Sequence, residues 1–303
     1  MAEEQPQNAP LKTYRGSCHC GAYVYEANLP EIKEASECNC SICYKRGALW
    51  QLTDAKDLRF VKGDPGTLKN YTFGRQQFNH KYCPTCGIEL MIVGHLLAPQ
   101  PGEEKEPKTT INLRTIQYGQ GVDVWKLDIK PFDGGSFPPP YVPPKYTGPE
   151  PKAEVEGGRL YTGSCHCGAV RLAFLAKPLD KTYPENIAQC NCSMCGRQGV
   201  TWIYPRKEQV VIEGEENLAT YCFGKKYFGK TFCKTCGVPV HNVPQTLTEE
   251  DAAKMKESDK NFVAAAKYLK PINLRLFDGV DVKDLNIKKI DGYNIVEPRY
   301  VEP

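Results

Sequence analysis

Residues 16–22 read Gly-Ser-Cys-His-Cys-Gly-Ala, and the same seven residues recur at 163–169. Two further cysteine motifs also occur twice, in the same order along the chain. They are Cys-Asn-Cys-Ser-x-Cys at 38–43 and 190–195, and Cys-x-x-Cys-Gly at 83–87 and 233–237. Because three ordered motifs repeat with only short insertions and deletions between them, the sequence indicates a tandem duplication.

The duplication sets the domain organisation. A chain of 303 residues is long enough for two domains of about 150 residues each. The segment between the copies is rich in Pro and Gly, which is typical of an extended connection. We therefore predict a first domain at 11–146, a linker at 147–158 and a second domain at 159–303.

Composition and charge exclude several classes of protein. The hydrophobic share of 41% and the charged share of 25% lie near globular averages, and no apolar run approaches the roughly 18 residues of a membrane span. The net charge of +3 argues against nucleic acid as a partner. The first ten residues contain no apolar signal region, so we expect a cytoplasmic protein. The nucleus remains open as an alternative location, and the sequence does not specify an oligomeric state.

Both copies have the pattern of a β-rich fold. Short apolar or alternating runs are bounded by Gly, Pro and Asp, as strands are. We predict strands at 22–29, 58–62, 90–93, 170–174 and 210–213. The second copy has an insertion at 248–269 with acidic residues at its start and Pro271 after its end, which predicts a helix or helical pair. The matching stretch of the first copy, 99–109, is predicted to be a loop.

The 15 cysteines are better explained by metal binding than by disulfides, which a reducing compartment disfavours. Two pairs per copy can form a closed site of four thiolates, the usual arrangement of structural zinc. The predicted ligands are Cys18, Cys20, Cys83 and Cys86 in the first copy, and Cys165, Cys167, Cys233 and Cys236 in the second. Gly87 and Gly237 suit the tight turns of such sites. The alternative is a set of buried cysteines without metal.

Three cysteines per copy remain, apart from Cys222, which is interpreted as a small core residue. The first triplet is Cys38, Cys40 and Cys43, and the second triplet is Cys190, Cys192 and Cys195. Three protein ligands and one open position are typical of a catalytic zinc. Closure of the first site by His19 or His80, and a redox disulfide within a triplet, are the alternatives.

Other residues near these motifs are candidates for substrate contact. Lys45, Arg46 and Arg197 follow the triplets and could hold the carboxylates of an anionic thiol such as glutathione, or could lie on a solvated turn. His19 and His166 are candidate acid–base groups. Arg114 and Arg275 recur in an Asn-Leu-Arg context, as a substrate clamp or a buried ion pair. Trp50, Trp202 and the repeated Tyr-x-Phe-Gly aromatics are interpreted as core or as pocket lining.

In their order and spacing, these motifs resemble the family of glutathione-dependent formaldehyde-activating enzyme and centromere protein V, here in two copies. The resemblance covers about 11–146 and 159–303. It implies a fold of the β-tent type, a structural zinc and a second zinc bound by the triplet in each domain. The activity it implies is that of a carbon–sulfur lyase, which condenses formaldehyde with glutathione.

Two classes of function follow. In the first, the protein is a zinc-dependent carbon–sulfur lyase that acts on a thiol, such as glutathione, and a small electrophile. The zinc would hold the sulfur as a thiolate, and His or Arg would stabilise the developing alkoxide. In the second, it is a non-catalytic zinc-stabilised interaction module of the centromere protein V type. Such a module should carry a basic tail or patch, and this sequence has no such tail, so the enzyme interpretation is favoured.

Overall fold

The structure is a computed structural model that describes residues 10–95 and 106–303. Across these residues the chain forms twenty β-strands, together with five α-helices of four to ten residues and several 3-10 turns. The prediction of a mainly β fold is confirmed. In the described part of the chain, every helix is too short or too polar to cross a membrane.

The chain divides into two compact units. The first unit consists of the described residues of 1–43, 48–140 and 301–303, and the second unit consists of 44–47 and 141–300. Most of each sequence copy therefore lies in its own unit. The segment 147–158, predicted as a linker, is counted with the second unit.

The first unit contains ten strands among its described residues. They are β1 (Lys12–Ser17), β2 (Val24–Leu29), β3 (Glu34–Cys38), β4 (Trp50–Thr53), β5 (Leu58–Lys62), β6 (Lys69–Tyr71), β7 (Phe78–Tyr82), β8 (Glu89–Gly94), β9 (Lys108–Asn112) and β10 (Asp128–Phe132). A three-stranded sheet has the order β1-β2-β5, and a seven-stranded sheet has the order β10-β3-β4-β9-β8-β7-β6. Only the β3–β10 pair is parallel within these sheets. The helix α1 (Ser41–Arg46) follows β3.

The second unit repeats this architecture. Its strands are β11 (Arg159–Ser164), β12 (Arg171–Ala176), β13 (Ile187–Cys190), β14 (Trp202–Ile203), β15 (Val210–Glu213), β16 (Leu218–Cys222), β17 (Phe228–Cys233), β18 (Pro239–Pro244), β19 (Ile272–Asn273) and β20 (Ile287–Ile290). The sheets have the orders β11-β12-β15 and β16-β17-β18-β19-β14-β13-β20. The β13–β20 pair is parallel, like β3–β10. The helix α2 (Ser193–Gln198) follows β13, and the helix α5 (Gly292–Ile295) follows β20.

The insertion of the second copy is helical, as predicted. It forms α3 (Glu249–Ala253) and α4 (Glu257–Ala266) between β18 and β19. The Thr248 hydroxyl accepts a hydrogen bond from Asp251 N at 3.1 Å and so caps α3. Of the matching stretch at 99–109 in the first copy, 99–105 lie outside the described residues. Its end differs from the predicted loop, because Lys108 and Thr109 already belong to β9.

Candidate metal centres and active site

The two four-cysteine sets predicted from the sequence come together in the structure, one in each unit. In each set the four sulfur atoms lie within 4.8 Å of one another. The Cys20 Sγ atom is 3.6 Å from both Cys18 Sγ and Cys83 Sγ, and the second set shows the same spacing. Zn–S bonds of about 2.3 Å in a tetrahedron separate the sulfurs by about 3.8 Å, whereas a disulfide requires about 2.05 Å. The spacing therefore fits zinc and excludes disulfides.

Two turns position each four-cysteine cluster. In the first unit, one turn joins β1 to β2 and the other joins β7 to β8. The Tyr23 N–H donates to Cys18 Sγ at 3.4 Å, and the Gly87 N–H donates to Cys83 O at 2.9 Å. Gly87 has a φ of +71°, which L side chains rarely adopt. This geometry explains why glycine follows the Cys-x-x-Cys pair.

The cysteines of each triplet also converge, with all three sulfurs within 4.8 Å of one another. Among the described residues, each triplet site consists of its three cysteines alone. Neither His19 nor His80 is therefore close enough to join the cysteines of the first triplet as a metal ligand. Hydrogen bonding from Cys40 and then Cys43 lowers the pKa of the Cys38 thiol to about 3. A bound metal would require all three thiols as thiolates.

A loop that the sequence analysis missed packs against each triplet. In the first unit it follows β10, where Asn39 Nδ2 donates to Asp133 Oδ1 at 2.7 Å and Gly135 N donates to Asn39 Oδ1 at 2.7 Å. A Cβ atom on Gly134 would lie less than 3.0 Å from Cys38 Sγ. The middle residue of the Cys-Asn-Cys motif thus ties this loop to the triplet.

The second unit repeats the loop after β20. The Asn191 Nδ2 atom donates to Asp291 Oδ1 at 2.9 Å, and the Tyr293 N–H donates to Asn191 Oδ1 at 2.9 Å. A Cβ atom on Gly292 would lie less than 3.0 Å from Cys190 Sγ. The recurring Asp-Gly pairs at 133–134 and 291–292 were the signal in the sequence that could have revealed this loop.

The two triplets differ in the hydrogen bond from the neighbouring tryptophan. The buried Trp202 donates its indole N–H to Cys195 Sγ at 3.3 Å. The equivalent Trp50 is also buried, but its indole N–H has no hydrogen-bond partner among the described residues. Hydrogen bonds from the other two thiols hold the pKa of Cys195 well below its ordinary value, and the charge of Lys230 and the Trp202 N–H contribute further.

The strands β7 and β17 carry different polar residues at one equivalent position. His80 pairs with Tyr71 across the strands, and Lys230 pairs with Tyr221 in the same way. In the first unit, His80 Nδ1 lies 2.7 Å from the buried carboxylate oxygen Glu89 Oε1. In the second unit, Lys230 Nζ lies 4.6 Å from the centre of the Trp202 ring.

Lys45 and Arg46, predicted to contact glutathione, are buried and already bonded within the second unit. The Lys45 ammonium donates to Ser164 O at 3.0 Å and to Leu276 O at 2.9 Å. Arg46 donates to the carbonyl of Cys236. These contacts favour a structural role, and binding of glutathione by these residues stays a prediction.

Arg197, the third predicted glutathione contact, is buried as well. Its Nη1 atom donates to Ser193 O at 3.0 Å, and its guanidinium lies 5.2 Å from the Tyr300 ring centre. A guanidinium held by a helix carbonyl and an aromatic ring is typical of a packing role. Its predicted contact with glutathione also stays a prediction.

His19 and His166 lie between the paired cysteines of the four-cysteine clusters, and both are buried. The Tyr141 ring stacks on His166 at 4.4 Å, and the Tyr141 hydroxyl donates to His166 O at 2.8 Å. Both histidines thus belong to the four-cysteine motifs in sequence. An acid–base role at the triplets stays a prediction.

Arg114 and Arg275 follow the repeated asparagine of the Asn-Leu-Arg motif. The Asn273 side chain accepts from Arg275 N at 3.3 Å and donates to Pro239 O at 3.1 Å, so it braces the turn after β19. The guanidinium of the buried Arg275 lies 5.2 Å from the Tyr44 ring centre. Arg114 is half-buried in the first unit. A clamp role for the two arginines stays a prediction.

A protein family and a solved structure resemble this chain. The family model for glutathione-dependent formaldehyde-activating enzyme matches residues 13–116 and 160–269, which together make up more than two thirds of the chain. The chain belongs to this family. A solved structure of a Rhodobacter sphaeroides protein is similar, at 25% identity over 42% of this chain and 99% of that chain, with a TM-score of 0.30.

Proposed function

We propose that each triplet binds a zinc ion and a thiol such as glutathione, and that the protein is a carbon–sulfur lyase for thiol adducts of a small aldehyde or other electrophile. The observation that carries this proposal is the convergence of three sulfurs, without a fourth protein ligand in the described residues, in both units. The proposal is also supported by the family to which the chain belongs, that of glutathione-dependent formaldehyde-activating enzyme.

The chemistry requires a nucleophilic sulfur near neutral pH. Zinc held by three thiolates would keep an incoming thiol as its thiolate. In the forward direction, the thiol sulfur bonds to the carbonyl carbon and the carbonyl oxygen gains the proton that the thiol loses. In the reverse direction, the C–S bond breaks and the aldehyde and thiol are released.

The residues of this chain hold and tune the site. The loops that follow β10 and β20 donate backbone hydrogen bonds to Asn39 and Asn191, the residues directly after the first cysteine of each triplet. These bonds hold the loops against the triplets. In the second unit, the Trp202 N–H withdraws charge from the Cys195 sulfur, and such contacts around metal ligands tune the reactivity of the centre.

Calorimetry with glutathione and S-methylglutathione tests the proposal. Glutathione should bind to the zinc-loaded protein, and S-methylglutathione, which cannot present a thiolate, should bind at least tenfold more weakly. Cys40→Ser and Cys192→Ser should each remove about half of the glutathione sites. Equal binding of the two compounds would contradict the proposal, and a lack of binding would favour the zinc-stabilised interaction module of the centromere protein V type.

A further inference from the structure

The second unit has a lysine where the first unit has a histidine in contact with a glutamate. Lys230 occupies the position of His80, and Pro239 occupies the position of Glu89, as the strand registers show. The first unit therefore places an imidazole and a carboxylate in contact, whereas the second unit has an ammonium and no carboxylate there. Among the described residues, no Asp or Glu forms an ion pair with Lys230.

Trp202 connects this ammonium to the second triplet. One edge of the indole contacts Cys195 through the N–H at 3.3 Å, and the face of the ring lies 4.6 Å from Lys230 Nζ. Zinc with three thiolates carries a net charge of −1, which an ammonium beside it offsets. Because Lys230 is only half-buried and has no acidic partner among the described residues, it can also hold a second negative group that reaches the same side of the indole.

Tyr204 distinguishes the two sites further. It packs against the buried cluster that contains Cys195 and Trp202, and it is two residues beyond Trp202. The residue two beyond Trp50 is Leu52, which is exposed. The second triplet thus has a tyrosine and a lysine nearby, whereas the first unit has a leucine at the tyrosine position.

We propose that the second triplet takes thiol adducts in which the carbon bonded to sulfur also bears a carboxylate, the adducts of a 2-oxo acid, with Lys230 holding that carboxylate. The proposal rests on the proposed function and names its substrate class. The first triplet, with His80 and Glu89 paired, takes the adducts of an uncharged aldehyde. The tandem copies then serve two classes of electrophile.

The reaction at the second triplet balances without a further reactant. The thiol sulfur bonds to the aldehyde or ketone carbon of the 2-oxo acid, one C=O bond becomes C–O, and the oxygen receives the thiol proton. Cleavage returns the proton to sulfur and restores the C=O bond. The carboxylate is unchanged throughout, so it acts only as a handle for binding.

Two small thiols test the proposal through binding alone. Mercaptoacetate carries a carboxylate one carbon from sulfur, and mercaptoacetamide has the same size without the charge. In zinc-loaded Cys40→Ser protein, where only the second triplet is intact, Lys230→Met should weaken mercaptoacetate about tenfold and mercaptoacetamide less than twofold. Lys230→Arg should restore most of the affinity. Lys207→Met, at an exposed lysine of the same unit, is the matched control and should leave both affinities unchanged.

The outcomes separate this inference from the proposed function. If both thiols bind and Lys230→Met weakens them equally, or not at all, the inference is wrong and the proposed function stands. If Cys192→Ser protein shows the same preference for mercaptoacetate, the assignment to the second triplet is wrong. If neither thiol nor glutathione binds in any background while zinc is retained, the proposed function fails and this inference fails with it.

Discussion

At the scale of single residues, two glycines determine how closely the chain approaches the triplets. A Cβ atom at Gly134 or Gly292 would collide with the sulfur of Cys38 or Cys190. We expect Gly134→Ala and Gly292→Ala each to lose the triplet zinc of its own unit and to keep a cooperative melt. Elemental analysis and calorimetric melts check this.

Gly279→Ala is the control for the glycine substitutions. Gly279 has a φ of +72°, but a Cβ atom there would meet nothing within 4 Å. Its replacement therefore strains the backbone without touching a sulfur. If Gly279→Ala lost as much zinc as Gly292→Ala, the loss would follow from a general disturbance of this unit and not from the contact with Cys190.

The two tryptophans give a matched pair of substitutions. Trp202 donates to Cys195, whereas the Trp50 N–H has no hydrogen-bond partner among the described residues. In cobalt-substituted protein, Trp202→Phe should shift the sulfur-to-cobalt charge-transfer bands to longer wavelength, because removal of an N–H donor makes the thiolate more electron-rich. Trp50→Phe should leave the bands in place. Equal shifts would show that ring packing, and not the hydrogen bond, controls the sulfur.

At the scale of elements, the strand β18 contains a titratable core residue. Burial, aided by the positive charge of Lys270, lowers the pKa of His241 to about 4, compared with about 6.5 in an unfolded chain. Below pH 6.5 the unfolded chain binds more protons at His241 than the folded protein does. The contribution of the buried, neutral His241 to the free energy of unfolding is therefore complete above pH 6.5, and it is lost as the pH falls towards 4.

The first copy supplies the substitution that tests this. Met91 pairs with Ile111 where His241 pairs with Ile272, so His241→Met places the residue of the first unit in β18. Between pH 7.5 and pH 5.5, the free energy of unfolding of the wild type should fall by about 1.4 kcal/mol more than that of His241→Met. Urea unfolding at the two pH values measures this difference. Loss of zinc at low pH affects both proteins equally. An equal loss in both would mean that His241 is not the group responsible.

Elements with their own local signals could be predicted from the sequence. The strands at 58–62 and 210–213 and the helical insertion were found, because turn residues and apolar spacing mark them within a few residues. The parallel pairing of β10 with β3 could not be predicted, since the two strands are separated by most of the first copy. The loop that packs against the triplet depends on this pairing and was missed for the same reason.

At the scale of the whole molecule, repetition predicted which cysteines come together, but it did not predict the surroundings of the cationic side chains. Cysteines that bind one ion need little more than two short motifs, and these stand in the sequence. The partners of a lysine or arginine side chain, in contrast, are set by the tertiary structure and cannot be deduced from its neighbours in sequence. Lys45 follows Cys43 closely in sequence, yet its ammonium bonds to Ser164 O and Leu276 O, more than one hundred residues away.

The stability of the whole molecule should depend on the two kinds of metal centre unequally. The four-cysteine clusters join turns between strands of both sheets, so the free energy of metal binding there is free energy of folding. Cys83→Ser or Cys233→Ser should abolish the cooperative melt of its unit. Cys40→Ser or Cys192→Ser should lower the melting temperature by only a few degrees. Calorimetry with the reverse ranking would show that the structural and open sites are assigned the wrong way round.

The zinc content of the chain should be close to four, and it should fall in two stages. Three of the four cysteines in each four-cysteine cluster are buried, whereas two of the three cysteines in each triplet are half-buried. A chelator in solution therefore reaches the triplets first, where three protein ligands hold the ion. Titration with a chromogenic chelator should release two zinc ions before the protein unfolds and two more only as it unfolds. Elemental analysis should give about two ions at the plateau between the stages. Release of all four in a single stage that follows unfolding would mean that the triplets are closed sites, and the proposed binding of thiols would then have no open position.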